Sequence, residues 1–207
     1  MLNRRKFITL VASLQVAFVV PAVVSRRAWA SAAGDRATAF IKATGEKLVA
    51  AINAAGSVEE RRVVLGSIIN SDVDVNAVAR FCLGRFWRTA TAAQQTQYLE
   101  LFRNMLTANI AIKLGDYRGV RFTVGKAQDR DEGEIVSTVV ARPNNPPTNI
   151  QWVVANPTAV PKIVDVIAEG TSLRLTQRDD YAAFLSQHGN NVDALLGAIR
   201  QQASQNG

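Results

Sequence analysis

The sequence predicts an α+β fold: a four-stranded curled antiparallel sheet packed against about six helices, with an apolar pocket between the two layers. Three observations carry this. Apolar residues recur three and four positions apart between residues 35 and 115, the period of a helix with one buried face. From residue 120 to 168 the period drops to two, and short turns rich in Pro, Asn and Gly separate the runs. Helical spacing then returns and continues close to the C-terminus.

Residues 1–30 stand apart from this pattern as an export leader, and residues 31–207 form a single domain. Met1 to Lys6 is basic, Phe7 to Val24 is almost unbroken apolar sequence, and Ala28-Trp29-Ala30 fits a small-x-small cleavage site. Asn3-Arg4-Arg5-Lys6-Phe7-Ile8 is similar to a twin-arginine export signal, and Arg26 and Arg27 fit that route better than general secretion. An uncleaved anchor is the competing reading, because about 18 apolar residues can just span a bilayer. Gln15, Pro21 and the Ala-x-Ala site count against it.

The leader also dominates the charge. It carries Arg4, Arg5, Lys6, Arg26 and Arg27 and no acid, so the 24 basic residues of the chain fall to 19 against 17 acidic ones, a net charge near +2 instead of +7. No basic stripe interleaved with aromatics remains, and nucleic-acid binding has no warrant. Cys82, the single cysteine, lies among Phe81, Leu83 and Phe86 and reads as a small buried hydrophobe. With no internal disulfide available, the fold must be held by its core.

In chain order, residues 35 to 55 form a first helix with Phe40, Ala43, Leu48, Ala51 and Ile52 on one face. Ser57-Val58-Glu59-Glu60 is a capping box that opens a second, before Val63, Val64 and Ile68. Asp72 to Trp87 forms a third, with Gly84 as a weak point or a close contact. Thr91-Ala92-Ala93-Gln94 opens the longest helix, whose apolar face is Tyr98, Leu101, Phe102, Met105, Leu106 and Ile110, and which ends near Gly115 and Gly119.

Four strands follow. Val120 to Val124 has one wet face; Asp129 to Gly133 is a charged hairpin loop; Ile135 to Ala141 is apolar on nearly every residue and therefore central. A turn at Pro143 to Pro147 leads to Ile150–Ala155, and Asn156-Pro157-Thr158 leads to the fourth strand from Pro161 to Ala168. Short loops make this an antiparallel meander. Glu169-Gly170-Thr171-Ser172 bends the chain, Leu173-Arg174-Leu175 resumes alternation, and Thr176-Gln177-Arg178-Asp179 has the form of a capping box before Tyr181, Phe184 and Leu185. A last helix carries Val192, Leu195, Leu196 and Ile199.

Catalytic chemistry is missing from this list. His188, the single histidine, sits next to Gly189 at a helix end, and no Ser-His-Asp or Cys-His set can be assembled around it. One His and one Cys cannot make a zinc site. The acidic run Asp129 to Glu134 lacks the spacing of a calcium loop and reads as a solvated hairpin tip. Gly119 to Lys126 has five residues between its glycines and Ala127 where a phosphate loop needs Ser or Thr. Asp165, an odd carboxylate on an aliphatic strand, reads as a structural hydrogen-bond acceptor. What remains is apolar surface: Phe102, Met105, Leu106 and Ile110 on the long helix, and Val139, Ile150, Trp152, Val154, Val166 and Ile167 on the sheet. Periodicity alone does not separate a ligand pocket from ordinary core.

Several blocks together resemble the MlaC family of periplasmic phospholipid-binding proteins, also called the toluene-tolerance family. They are Leu83-Gly84-Arg85-Phe86-Trp87-Arg88-Thr89-Ala90-Thr91 with Phe102-Arg103 and Tyr117, Pro146-Pro147 through Trp152, Asp165-Val166-Ile167-Ala168-Glu169-Gly170-Thr171-Ser172-Leu173, and the closing Gly189 and Leu195-Leu196, within residues 35 to 202. The resemblance implies a periplasmic lipid carrier, not an enzyme, that shuttles phospholipid between an outer-membrane lipoprotein complex and the substrate-binding subunit of an inner-membrane ABC transporter. It implies no cofactor beyond the bound lipid, with Leu106, Ile110, Val139, Trp152, Val154, Val166 and Thr171 lining the pocket and the Glu169–Ser172 bend as its mouth. The chain departs from the family at Val160-Pro161, where a glycine and an aromatic are common, and at Thr171, where valine is common. Both departures flank the expected mouth, so a hopanoid-like lipid is an alternative ligand. A non-carrying adaptor subunit and a small hydrolase on a cystatin-like or NTF-like scaffold are the readings from other classes.

Overall fold

The computed structural model describes the backbone of residues 23–54 and 56–205 and the side chains of residues 32–54, 56–114 and 117–203. The expected leader at 1–30 lies largely outside the described residues. Among the described residues no helix is long and apolar enough to cross a membrane.

Among the described residues, six α-helices and five strands follow in blocks: α1 (Val23–Ala54), α2 (Val58–Asp72), α3 (Val75–Leu83), α4 (Ala92–Lys113), β1 (Arg121–Arg130), β2 (Gly133–Ala141), β3 (Thr148–Ala155), β4 (Lys162–Ala168), β5 (Thr171–Ser172), α5 (Leu173–Gln187) and α6 (Val192–Gln205). The capping box expected at Ser57 forms, the one expected at Thr176 does not because residues 176–179 lie inside α5, and Thr91 makes a further box at the start of α4. Ser57 accepts from the Glu60 backbone amide while the Glu60 carboxylate accepts from that of Ser57, and Thr91 and Gln94 repeat the exchange. The longest helix is α1 and not α4, 32 residues against 22. The single helix expected over Asp72–Trp87 is α3 followed by a 3-10 turn over Gly84–Arg88. The break falls where Gly84 takes φ +59°, a conformation that side chains with a Cβ resist.

The sheet is an antiparallel meander in the order β1-β2-β3-β4-β5. Its fifth strand is two residues long, too short for a period-two signal, so the expected count of four was one short. β1 runs six residues beyond Val124 through a bulge between Val124 and Ala127, and only Asp131 and Glu132 form the hairpin turn. Val73, between α2 and α3, makes an isolated parallel bridge to Ile163 and so ties the helical layer to the β4 edge.

The expected start of α5 at Thr176 is wrong. Ser172 is the N-cap, its hydroxyl accepting from the Leu175 amide at 3.1 Å, so Leu173-Arg174-Leu175 is the first helical turn and not a resumed strand.

Two apolar clusters replace a single core. The larger gathers Leu65, Ile69, Leu83, Tyr98, Phe102, Tyr181, Leu185 and Leu196 from α2 to α6. The smaller lies between α1 and the sheet: Ala37, Ile41, Val136, Val154 and Ile163, with Phe40, Phe122, Val124, Trp152 and Val166 against them. Ala51 of α1 belongs to the larger cluster, and Val73 touches both. α1 therefore serves two layers, which explains why its apolar residues do not fall on one clean face.

Candidate binding site between helix and sheet

Strand register divides the sheet into two faces. Val136 pairs with Trp152 and Ala127, Trp152 with Val166, and Val154 with Ile163. Side chains alternate along a strand, so these residues share one face, the one α1 covers. Trp152 is fixed there by a polar relay: its indole nitrogen donates to Thr138 Oγ1 at 2.9 Å, and that hydroxyl donates to the Ile150 carbonyl at 3.1 Å. Thr138 is 2% exposed, yet both its hydrogen-bonding roles are filled inside the apolar face.

α1 meets this face most closely at Gly45. A Cβ placed there would stand 2.7 Å from both Cδ1 and Cζ of Phe122, and closer still to Cε1. The phenyl ring lies directly on the helix backbone, which only glycine permits. On the outer side of that contact, a cleft of about 580 Å³ opens between Lys42, Glu46 and Val49 of α1 and Val120, Phe122 and Val124 on the sheet edge. Its size falls within the roughly 300–1,000 Å³ of small-molecule sites. A second groove, of about 400 Å³, runs over the opposite face of the sheet beside Thr123, Ser137, Val139, Asn149 and Gln151.

A buried acid lies on the covered face. Glu134 is 4% exposed, beneath Gly34 and opposite Asp129 in the β1–β2 ladder. Burial, with a smaller push from the Asp129 charge, raises its pKa above the ordinary carboxylate value. The expectation of a solvated acidic tip holds for Asp129–Glu132 and fails for Glu134, which β2's alternation turns inward.

The bend after β4 is built around Asp165. Its carboxylate accepts from the Ser172 hydroxyl at 2.6 Å, the Val166 amide at 2.8 Å and the Arg174 amide at 3.2 Å. Arg174 Nε stands 3.4 Å from it without hydrogen-bond alignment, and the same guanidinium pairs with Glu132. This is the structural role expected for Asp165: one carboxylate joins β4, β5 and the first turn of α5.

The MlaC protein family model matches residues 42–201. The chain belongs to the MlaC family. The matched span begins inside α1 and ends inside α6, so it contains the whole sheet and the whole larger cluster. Among solved structures, this MlaC chain is similar to a phospholipid-binding protein from Ralstonia solanacearum, in complex with a phospholipid. Identity is 21%, the TM-score is 0.71, and the match covers 82% of this chain and 98% of that one. At that identity the likeness establishes the fold.

Placed on this fold, the sequence-derived site residues separate. Trp152, Val154 and Val166 come together on the covered face. Leu106 and Ile110 pack half-buried against the larger cluster. Thr171 is exposed at the β4–β5 bend, paired with Ala168. Val139 pairs with Asn149 and Thr123, which puts it on the opposite face, 41% exposed in the outer groove. Sequence reasoning set α4 opposite the sheet; the helix there is α1, with Ala37, Phe40 and Ile41. The first helix was legible as an element, but not its faces: Ala43, expected on the buried side, is exposed, and nothing in the period says which layer a face meets. Thr138 and Glu134 gave no signal at all. Among the described residues, no group of His, Cys, Asp and Glu is arranged to hold a metal ion.

Proposed function

We propose that this MlaC-family chain is a periplasmic lipid carrier that binds phospholipid in the apolar layer between the helices and the covered sheet face. Family membership carries the reading, and the likeness in fold to a phospholipid-binding protein caught with its ligand supports it. The acyl chains take the seam where the two clusters meet at α1 and Val73. Trp152, Val154 and Val166 line it from the sheet, Leu106 and Ile110 from the helices, and Thr171 stands at its rim. Val139, on the outer face, is left out of this arrangement.

The physics of such a carrier is simple. Each exposed methylene costs about 0.8 kcal/mol, so a two-chain lipid leaves a bilayer for water prohibitively slowly. An apolar seam removes that barrier and recognises tails by volume, leaving the headgroup in solvent. No residue is asked to do covalent chemistry, so we assign no catalytic role to any. Release is driven by the affinity difference between donor and acceptor, and the shuttle runs between an outer-membrane lipoprotein complex and the substrate-binding subunit of an inner-membrane ABC transporter.

Native mass spectrometry of the purified protein tests the reading. The carrier gives a complex one phospholipid heavier than the bare chain. A uniformly bare mass favours the adaptor, and a bound hopanoid favours the alternative ligand.

A further inference from the structure

Around α3 and the start of α5, the chain carries a surface built from arginines held on aromatic rings. Arg80 lies over Trp87 at 5.1 Å, Arg85 over Phe86 at 4.9 Å, and Arg178 over Phe81 at 5.0 Å, with Arg174 on the same Phe81 ring at 4.3 Å. The patch is continuous: Arg178 Nε stands 3.3 Å from where a Cβ on Gly84 would be, which joins α5 to the turn carrying Arg85 and Arg88. Arg80, Arg85, Arg88 and Arg178 are exposed, and none has a carboxylate partner among the described residues. Residues 80–88 and 174–178 contain five arginines, no lysine and no acid.

That composition differs from a solvated basic face. Stacking on a ring holds a guanidinium in place and reduces the entropy lost when it binds. Arginine in place of lysine marks protein interfaces, and Leu175, 48% exposed one turn before Arg178, supplies an apolar anchor among the charges. We propose that this arginine–aromatic surface docks an acidic protein partner, with carboxylates taken in bidentate fashion by Arg85, Arg88 and Arg178. A bilayer fits less well. Phe81 and Trp87 are half-buried beneath the guanidiniums and Phe86 is buried, so no aromatic side chain projects to insert among lipid headgroups. The surface stands apart from the carrier reading, and a chain that bound no lipid would keep it.

The test uses a fluorescein-labelled peptide of glutamates and leucines as the acidic probe, read by anisotropy against the purified protein. Vesicles of phosphatidylglycerol in phosphatidylcholine form the membrane arm. The variant Arg85→Glu/Arg88→Glu/Arg178→Glu should bind the peptide at least about tenfold more weakly. Lys113→Glu/Lys126→Glu/Arg130→Glu, the same change in charge elsewhere, should bind within about twofold of the parent. Because charge reversal can disturb folding, Arg85→Lys/Arg88→Lys/Arg178→Lys gives a second reading and should lose affinity severalfold for want of the planar fork. Equal loss in the first two variants would reduce the effect to net charge and overturn the proposal. Full affinity in both arginine variants would overturn it equally. Tighter binding to vesicles than to the peptide, through the same arginines, would replace the protein partner with a membrane.

Discussion

The contact between Gly45 and Phe122 yields a prediction whose sign reverses with its surroundings. In Gly45→Ala the new methyl would lie 2.7 Å from two ring carbons of Phe122, about an ångström inside the usual 3.5–4.0 Å contact. Relieving that overlap requires the ring or α1 to move, at about 1–3 kcal/mol for overpacking. Alanine returns about 1 kcal/mol in a helix interior, so the net destabilisation should be about 0–2 kcal/mol. In a Phe122→Ala background the three atoms nearest that methyl are gone, and the same Gly45→Ala change should now stabilise by about 1 kcal/mol. The coupling between the two sites is then the overpacking cost itself, about 1–3 kcal/mol. Urea unfolding of the four proteins, with the slope checked for constancy, measures each step, and every kcal/mol should move the melting temperature by about 2–4 °C. If Gly45→Ala has the same sign and size in both backgrounds, α1 does not rest on Phe122, and the roof over the sheet is placed wrongly.

Other expectations are independent of that contact. Asp165→Ala should cost about 3–5 kcal/mol by urea unfolding, since it strands the Ser172 hydroxyl, two amides and the Arg174 guanidinium; a loss under 1 kcal/mol would contradict the clip at the bend. Tyr98→Phe removes the 2.8 Å hydrogen bond to the buried Ala79 carbonyl and should lower stability by about 1–2 kcal/mol in thermal melts. Burial pushes the Cys82 thiol up to about 12, so it stays protonated at neutral pH; maleimide should label it only after denaturant is added. Glu134 carries a raised pKa in the fold, so its protonated form is favoured there and its contribution is lost as pH rises past the ordinary carboxylate value. Glu134→Gln should accordingly raise the melting temperature at neutral pH and change little near pH 4.

Local chemistry was legible at the starts of α2 and α4. The boxes at Ser57 and Thr91 needed no tertiary information, and both form. At α5 two local signals competed. Leu173-Arg174-Leu175 alternates like a strand and residues 176–179 have the form of a capping box, but it is Ser172 that caps the helix, at the Leu175 amide, while donating to Asp165 on β4. Faces of the sheet were legible only as alternation. Val139 and Trp152 are equally apolar neighbours in pattern, and register alone puts them on opposite faces. The site was least legible because α1 divides its contacts between sheet and helices, whereas α4, with the clearest period, belongs wholly to the helical cluster.

The two-cluster arrangement has a consequence for the order of assembly. Within the sheet, β1 to β4 pair with strands next to them in sequence, so the meander can close as soon as it is synthesised. The larger cluster cannot: Tyr98, Phe102 and Met105 come from before the sheet, while Tyr181, Leu185, Leu195, Leu196 and Ile199 come from after it, and α6 packs back on α4. A chain still lacking its last two helices holds a finished sheet beside an open apolar face. That half-built state is the one most exposed to aggregation, so loss of α6 should cripple folding far more than its position at the chain's end suggests.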